Sequence, residues 1–189
     1  MIRIGILGAI GSGKSYVAKC FGFPVFNADN EVAKIYKKDK KIFLKFKKIL
    51  PKYFYSFPIN KKEVSKAILA NKGNLTRIVK IVHFEVKKKM KLFLKKNKSQ
   101  KLVILDIPLL LENKINNKKD ILVFVHSENS KIINRLKKRG NYNQKLIAKF
   151  KSIQLPLDYK KKKSKIIIKN NSTKKSVKRD IQKLYKKIL

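Results

Sequence analysis

Gly8-Ala9-Ile10-Gly11-Ser12-Gly13-Lys14-Ser15 matches the spacing G-x-x-x-x-G-K-[ST] without a gap and follows the apolar run Ile4-Gly5-Ile6-Leu7. The pattern reads as a phosphate-binding loop. Gly8, Gly11 and Gly13 let successive backbone N–H groups turn inward around a polyphosphate, with Ser12 between them. The helix that follows presents its positive N-terminal end to the same anion. Lys14 is placed to reach the β- and γ-phosphates of a nucleoside triphosphate, and the Ser15 hydroxyl to hold Mg²⁺. A lysine-rich chain could produce such a turn by chance. Here, however, four of the seven glycines (Gly5, Gly8, Gly11 and Gly13) fall within nine residues, between a strand pattern and a helix pattern.

Working outward, residues 1–7 predict a buried parallel strand and 14–21 the helix leaving the loop, with Gly22 ending it. Phe23-Pro24-Val25-Phe26 reads as a second short strand, and Asn27-Ala28-Asp29-Asn30 follows at the end where α/β folds place ligands. Asp29 has two readings that position alone leaves open. Either Asn27 or Asp29 caps a helix over roughly 30–37, or the Asp29 carboxylate faces the loop and takes a proton from an acceptor hydroxyl. From 39 to 98 no run reads as a core strand. Helices are expected over 61–71 and 74–96, with Lys72-Gly73 as the break, and the aromatics Tyr53, Phe54, Tyr55 and Phe57 are expected mostly in a core. Leu102–Asp106 is a third strand, and Asp106 ends it in the manner of a carboxylate on the Mg²⁺ side. Ile121–Val125 is a fourth strand, after which Ser127 or Ser130 caps a helix carrying Arg135 and Arg139 on one face. Another helix spans 143–154, and the lysine run 159–163 reads as a solvated face. Ile166–Ile168 is a fifth strand, and 173–188 forms an amphipathic closing helix.

The chain carries 50 basic and 11 acidic residues, a net charge of +39. Only five of the basic residues are Arg, and the lysines are spread along the whole chain with many Ile and Asn. That distribution reads as compositional drift; a selected polyanion surface favours clustered guanidinium groups. Nonspecific, salt-sensitive contact with nucleic acid is expected, but no specific nucleic-acid partner. No apolar run approaches the roughly 18 residues of a membrane span, and the single Cys20 fits a reducing cytoplasm.

Alternating βα units, one phosphate loop, a helical insertion and, late in the chain, two of the five arginines within five residues describe a small-molecule phosphoryl-transfer enzyme. In this reading Lys14 holds ATP, Ser15 and Asp106 hold Mg²⁺, and Arg135 or Arg139 spreads over the transferring phosphoryl group. Within the insertion, His83 falls off the main apolar stripe of its helix.

At this point the residues resemble the dephospho-coenzyme A kinase family over nearly the whole chain. Ile4–Ser15 looks like that family's opening, and Asn27-Ala28-Asp29 resembles its Asp-Ala-Asp element. Pro108-Leu109-Leu110-Leu111-Glu112 resembles its Pro-Leu-Leu-x-Glu motif. Gln154–Lys160 and Ile167–Asn170 are similar to its Gln-x-Pro-Leu-x-x-Lys and Val-Ile-x-Asn stretches. The chain departs from the pattern at Tyr16, Asn27, Phe84, Ser164 and Lys165. The resemblance implies ATP- and Mg²⁺-dependent phosphorylation of the ribose 3′-hydroxyl of dephospho-CoA, with Asp29 as base. It assigns Tyr16 and Asn170 to the nucleotide, and His83, Pro108, Leu109, Glu112 and Gln154 to the acceptor.

The expected fold is a three-layer P-loop NTPase-type α/β domain over 1–189 with a five-stranded parallel sheet, present as a monomer or weak oligomer. Its nucleotide core covers about 1–38, 100–134 and 164–189, its acceptor insertion about 39–99 and its lid about 135–163. A nucleoside or nucleoside monophosphate kinase shares the loop and lid but not the two late motifs. A nucleic-acid-dependent P-loop ATPase would need the +39 charge to be functional.

Overall fold

In a computed structural model of the chain, residues 1–138, 140, 142–171 and 174–189 are described, Lys72 and Lys174 by their backbone alone. Arg139, half of the expected arginine pair, therefore lies outside the described residues. Five strands form one parallel sheet in the order β2-β3-β1-β4-β5. They are β1 (Ile2–Gly8), β2 (Val25–Asn27), β3 (Leu102–Asp106), β4 (Ile121–His126) and β5 (Ile166–Lys169). Among the described residues the helices are α1 (Lys14–Cys20), α2 (Ala28–Lys38), α3 (Lys40–Ile49), α4 (Lys61–Ala70) and α5 (Lys72–Lys96). They continue with α6 (Asn129–Lys137), α7 (Gln144–Ser152), α8 (Leu157–Lys163) and α9 (Lys174–Ile188).

The chain divides into two compact units, one of Met1–Asn27, Leu94–Tyr142 and Leu155–Leu189, the other of Ala28–Phe93 and Asn143–Gln154. The first unit holds the sheet. Alternate strand residues Ile4, Ile6, Leu102, Ile104, Val123, Val125 and Ile168 pack against Val17, Ala18 and Phe21 of α1 and against Val177, Ile181 and Leu184 of α9. On the opposite face α8 lies against β1 and β4. Coverage on both faces is why β3 and β4 are continuously apolar in sequence. At Gly5 in β1 a Cβ would come within 2.5 Å of Leu110 Cδ2, so the loop after β3 lays a leucine side chain directly on the strand.

The second unit is helical. Its core takes in Phe46 and Phe54, with ring centroids 4.6 Å apart, and Tyr36 edge-on to Phe46 at 6.1 Å. Phe54 is thus core, as expected for the aromatic loop, whereas Tyr55 is exposed.

Several boundaries differ from the sequence expectation for local reasons. The second strand is shifted to Val25–Asn27, and α2 starts at Ala28, so Asp29 sits inside its first turn and does not cap it. The expected break at Lys72-Gly73 is absorbed into α5, because Asn71 Oδ1 accepts the Gly73 N–H at 2.7 Å and draws the helix start back. Ser127 does not cap α6; Glu128 occupies the cap position, but its carboxylate accepts from Asn171 Nδ2 (2.9 Å) and makes no capping bond among the described residues. The lysine run is not wholly solvated, since Lys160 is 1% exposed.

Candidate active site

β1 is central, with β3 on one side and β4 on the other, so the loops leaving these strands at their carboxyl ends flank the crevice where α/β sheets bind ligands. Gly8, Asn27, Asp106, Ser127 and Asn170 all stand at, or one residue beyond, those ends.

The loop 8–15 connects β1 to α1, and Gly8, Gly11 and Gly13 all have positive φ. Gly13 is doubly constrained. Its φ of +85° disfavours any L side chain, and a Cβ there would lie 2.2 Å from Asn170 Nδ2. Ser12 is fully buried. Its carbonyl accepts three hydrogen bonds, from Asn170 Nδ2 (2.8 Å), Ser127 Oγ (2.9 Å) and Arg135 Nη1 (3.2 Å). Arg135 Nη1 also donates to Ser127 Oγ (2.9 Å) and its Nη2 to the Asn170 carbonyl (2.7 Å). Ile132 and Leu136, on the same helix as Arg135, crowd Gly11. Lys14 Nζ curls back over the loop to the carbonyls of Ala9 (2.8 Å) and Gly8 (3.2 Å). Tyr16, on α1, is exposed.

A second corner gathers the expected metal-side oxygens. The parallel register sets Asn27 beside Asp106, and Asn27 Nδ2 donates to Asp106 Oδ2 (2.6 Å) and lies 3.5 Å from Ser15 Oγ. Asp106 is buried. A buried carboxylate and a hydroxyl bridged by one amide form a hard oxygen set. Such a set suits Mg²⁺, which takes one or two carboxylates together with substrate phosphates. Among the described residues no group of three or more His, Cys, Asp or Glu forms a denser metal cluster.

The acceptor-side candidates are distributed as follows. Pro108 and Leu109 are half-buried at the end of β3, next to the fully buried Leu110. Glu112 Oε1 accepts the Leu155 N–H (3.0 Å) and pairs with Lys160 Nζ at 2.6 Å, while Oε2 is buried with no hydrogen-bond partner among the described residues. The Pro-Leu-Leu-x-Glu and Gln-x-Pro-Leu-x-x-Lys stretches are thus tied together by a buried ion pair. Gln154 ends the α7 segment in the helical unit. His83 lies on α5; burial, with the Lys87 charge, pushes its imidazole below the ordinary value, so it is neutral at pH 7. Asp29 is two residues beyond Asn27 in the chain, in the first turn of α2.

Sequence reasoning missed Ser127 as a loop contact, Lys160 as a buried partner and Asn27 as the link between Ser15 and Asp106. Ser127 and Asn27 carried one signal, a polar residue at or just past the carboxyl end of a strand. Lys160 was marked only by closing the Gln-x-Pro-Leu-x-x-Lys stretch, which gives no sign of its burial.

A parallel sheet whose central strand feeds this loop, with a carboxylate at the end of the neighbouring strand, defines a P-loop kinase-type fold. TT1252 from Thermus thermophilus superposes with a TM-score of 0.76 at 22% identity, covering 100% of this chain and 98% of that one. The dephospho-CoA kinase from Campylobacter jejuni superposes at 0.63 and 18%, covering 98% and 96%. The dephospho-CoA kinase of Wolbachia pipientis wMel is 36% identical over 179 residues, 92% of this chain and 91% of its own length. The dephospho-CoA kinase family model matches residues 2–176. The chain belongs to the dephospho-CoA kinase family.

Proposed function

We propose that this chain transfers the γ-phosphoryl group of ATP to the ribose 3′-hydroxyl of dephospho-CoA, giving coenzyme A and ADP, in the cytoplasm. The observation that carries the reading is the complete Gly8–Ser15 loop placed between β1 and α1 in a chain of this family. In this proposal the backbone N–H groups of Gly8–Gly13, with Lys14, cradle the triphosphate, and Tyr16 and Asn170 border the nucleotide. Ser15 and Asp106 would hold Mg²⁺, which when bound neutralises charge on the β- and γ-phosphates. Asp29 orients the acceptor hydroxyl and takes its proton. Arg139 neutralises charge on the transferring group. His83, Pro108, Leu109, Glu112 and Gln154 keep their acceptor-side assignments.

The test is ATP consumption by the purified chain with and without dephospho-CoA, run beside nucleosides, nucleoside monophosphates and duplex DNA. Turnover should require dephospho-CoA. DNA should not stimulate it at physiological salt, because DNA contact rests on counterion release and weakens steeply as salt rises. Turnover driven by DNA or by a nucleoside would overturn the reading. Lys14→Ala should lower kcat by about 10²–10³, the scale of one lost electrostatic donor at developing charge. Normal turnover in that variant would remove the loop from the catalytic centre.

A further inference from the structure

The Ser12 carbonyl accepts three hydrogen bonds, and the residues that donate to it come from three separate parts of the sheet unit. Asn170 follows β5, Ser127 follows β4, and Arg135 projects from α6. Ser127 is buried and its hydroxyl is fully engaged. It accepts from Arg135 Nη1, and its single hydrogen lies between the carbonyl oxygens of Ser12 (2.9 Å) and Asn170 (3.0 Å). The Arg135 guanidinium bridges the same two carbonyls through its two terminal nitrogens. Its hydrogen bonds therefore run to the backbone that supports the loop.

The consequence follows from peptide geometry. In a trans peptide the C=O and the following N–H point in opposite directions. Three donors on the Ser12 carbonyl therefore fix the Gly13 N–H facing away from them. Donation to the carbonyl also polarises the peptide and makes that N–H a stronger donor, since hydrogen bonds in a chain reinforce one another. The positive φ of Gly13 and the place of Asn170 Nδ2, 2.2 Å from where a Cβ would stand, favour the same orientation.

We propose that Arg135 and Ser127 are positioning residues that act through the Ser12–Gly13 peptide, holding its N–H ready for the polyphosphate of the nucleotide. This rests on the phosphate-loop reading above and replaces direct contact with the transferring phosphoryl group as the task of Arg135. Arginine suits the task because its planar fork reaches the two carbonyls from two separate nitrogens in a fixed geometry, whereas an ammonium offers a single nitrogen on a flexible stem.

The experiment is calorimetric titration of the full chain with Mg²⁺ and inorganic tripolyphosphate at physiological salt, and separately with adenosine. The Lys14→Ala protein sets the background from the lysine-rich surface. Ser127→Ala should weaken tripolyphosphate binding about 3–10-fold and Arg135→Ala about 10–100-fold, the ranges for a neutral and a charged hydrogen bond. The double variant should bind no worse than Arg135→Ala, because both residues act on one carbonyl. Arg135→Lys should be as weak as Arg135→Ala, and Ser127→Ala should bind adenosine normally.

Wild-type affinity in Ser127→Ala, with the fold verified by circular dichroism, would overturn the proposal. So would an Arg135→Lys protein that keeps tight binding, which would mark Arg135 as a charge beside the phosphates. Equal losses for adenosine and tripolyphosphate would also overturn it, as a general loosening of the fold. If Ser127→Ala fails to fold, the Arg135→Lys result decides. A wild-type chain that binds tripolyphosphate no better than Lys14→Ala would refute the phosphate-loop reading itself, an outcome separate from loss of the positioning role.

Discussion

Lys160→Ala is expected to lower the melting temperature by about 6–20 °C while leaving the sheet topology intact. Removing one member of a buried ion pair typically destabilises by about 3–5 kcal/mol, because the other charge stays buried without compensation. In a chain of this length each kcal/mol shifts the midpoint by about 2–4 °C. Lys160 is 1% exposed and lies 2.6 Å from Glu112 Oε1, so little water is available to replace the lost ammonium. The cause can be isolated with a second substitution. Glu112→Gln combined with Lys160→Met removes both charges, keeps an oxygen to accept the Leu155 N–H and fills most of the volume of the lysine stem. That double variant should recover most of the loss, since well-packed replacements of buried pairs are often neutral. Differential scanning calorimetry of the three proteins decides the matter. A Lys160→Ala protein melting within about 2 °C of wild type would mean that Glu112 has found solvent or another partner, and the clamp between the two late motifs would lose its energetic weight.

How legible such features are depends on the range over which their signal acts. The loop 8–15 was readable because its chemistry is local: glycines, lysine and serine at fixed offsets. β3 and β4 were readable because a strand covered on both faces must be apolar throughout. The inward turn of Lys160 was not readable from composition, because in a run of four lysines only the match to Gln-x-Pro-Leu-x-x-Lys singles it out, and that match says nothing of burial or partner. Its partner Glu112 is supplied by the loop after β3. Ser127 misled for a related reason. A serine just before a helix pattern offers a local cap, yet the nonlocal carbonyl of Ser12, brought close by the β1–β4 pairing, takes the hydroxyl instead. Asn27 and Asp106 each looked meaningful alone, but only the strand register joins them.

Asp29→Asn is expected to lower kcat for dephospho-CoA phosphorylation by about 10²–10⁴ while ATP and dephospho-CoA still bind. A ribose hydroxyl is a poor nucleophile near neutral pH, so transfer gains from a carboxylate that orients it and accepts its proton as the O–P bond forms. The chain has only 11 acidic residues. Asp29 follows the carboxyl end of β2, where α/β sheets place ligands, and the family resemblance assigns it the role of base. Its place inside the first turn of α2 also bounds the stability effect. A carboxylate there favours the helix by about 0.3–1 kcal/mol, so the amide should cost only a few degrees of melting temperature. The competing view, that Asp29 serves the helix alone, expects that small stability change with near-normal turnover. Measuring kcat, both binding constants and the melting temperature on this one variant separates the two. Retention of more than about a tenth of wild-type kcat would remove Asp29 from the proton transfer, because the loss would fall below the range of general-base catalysis.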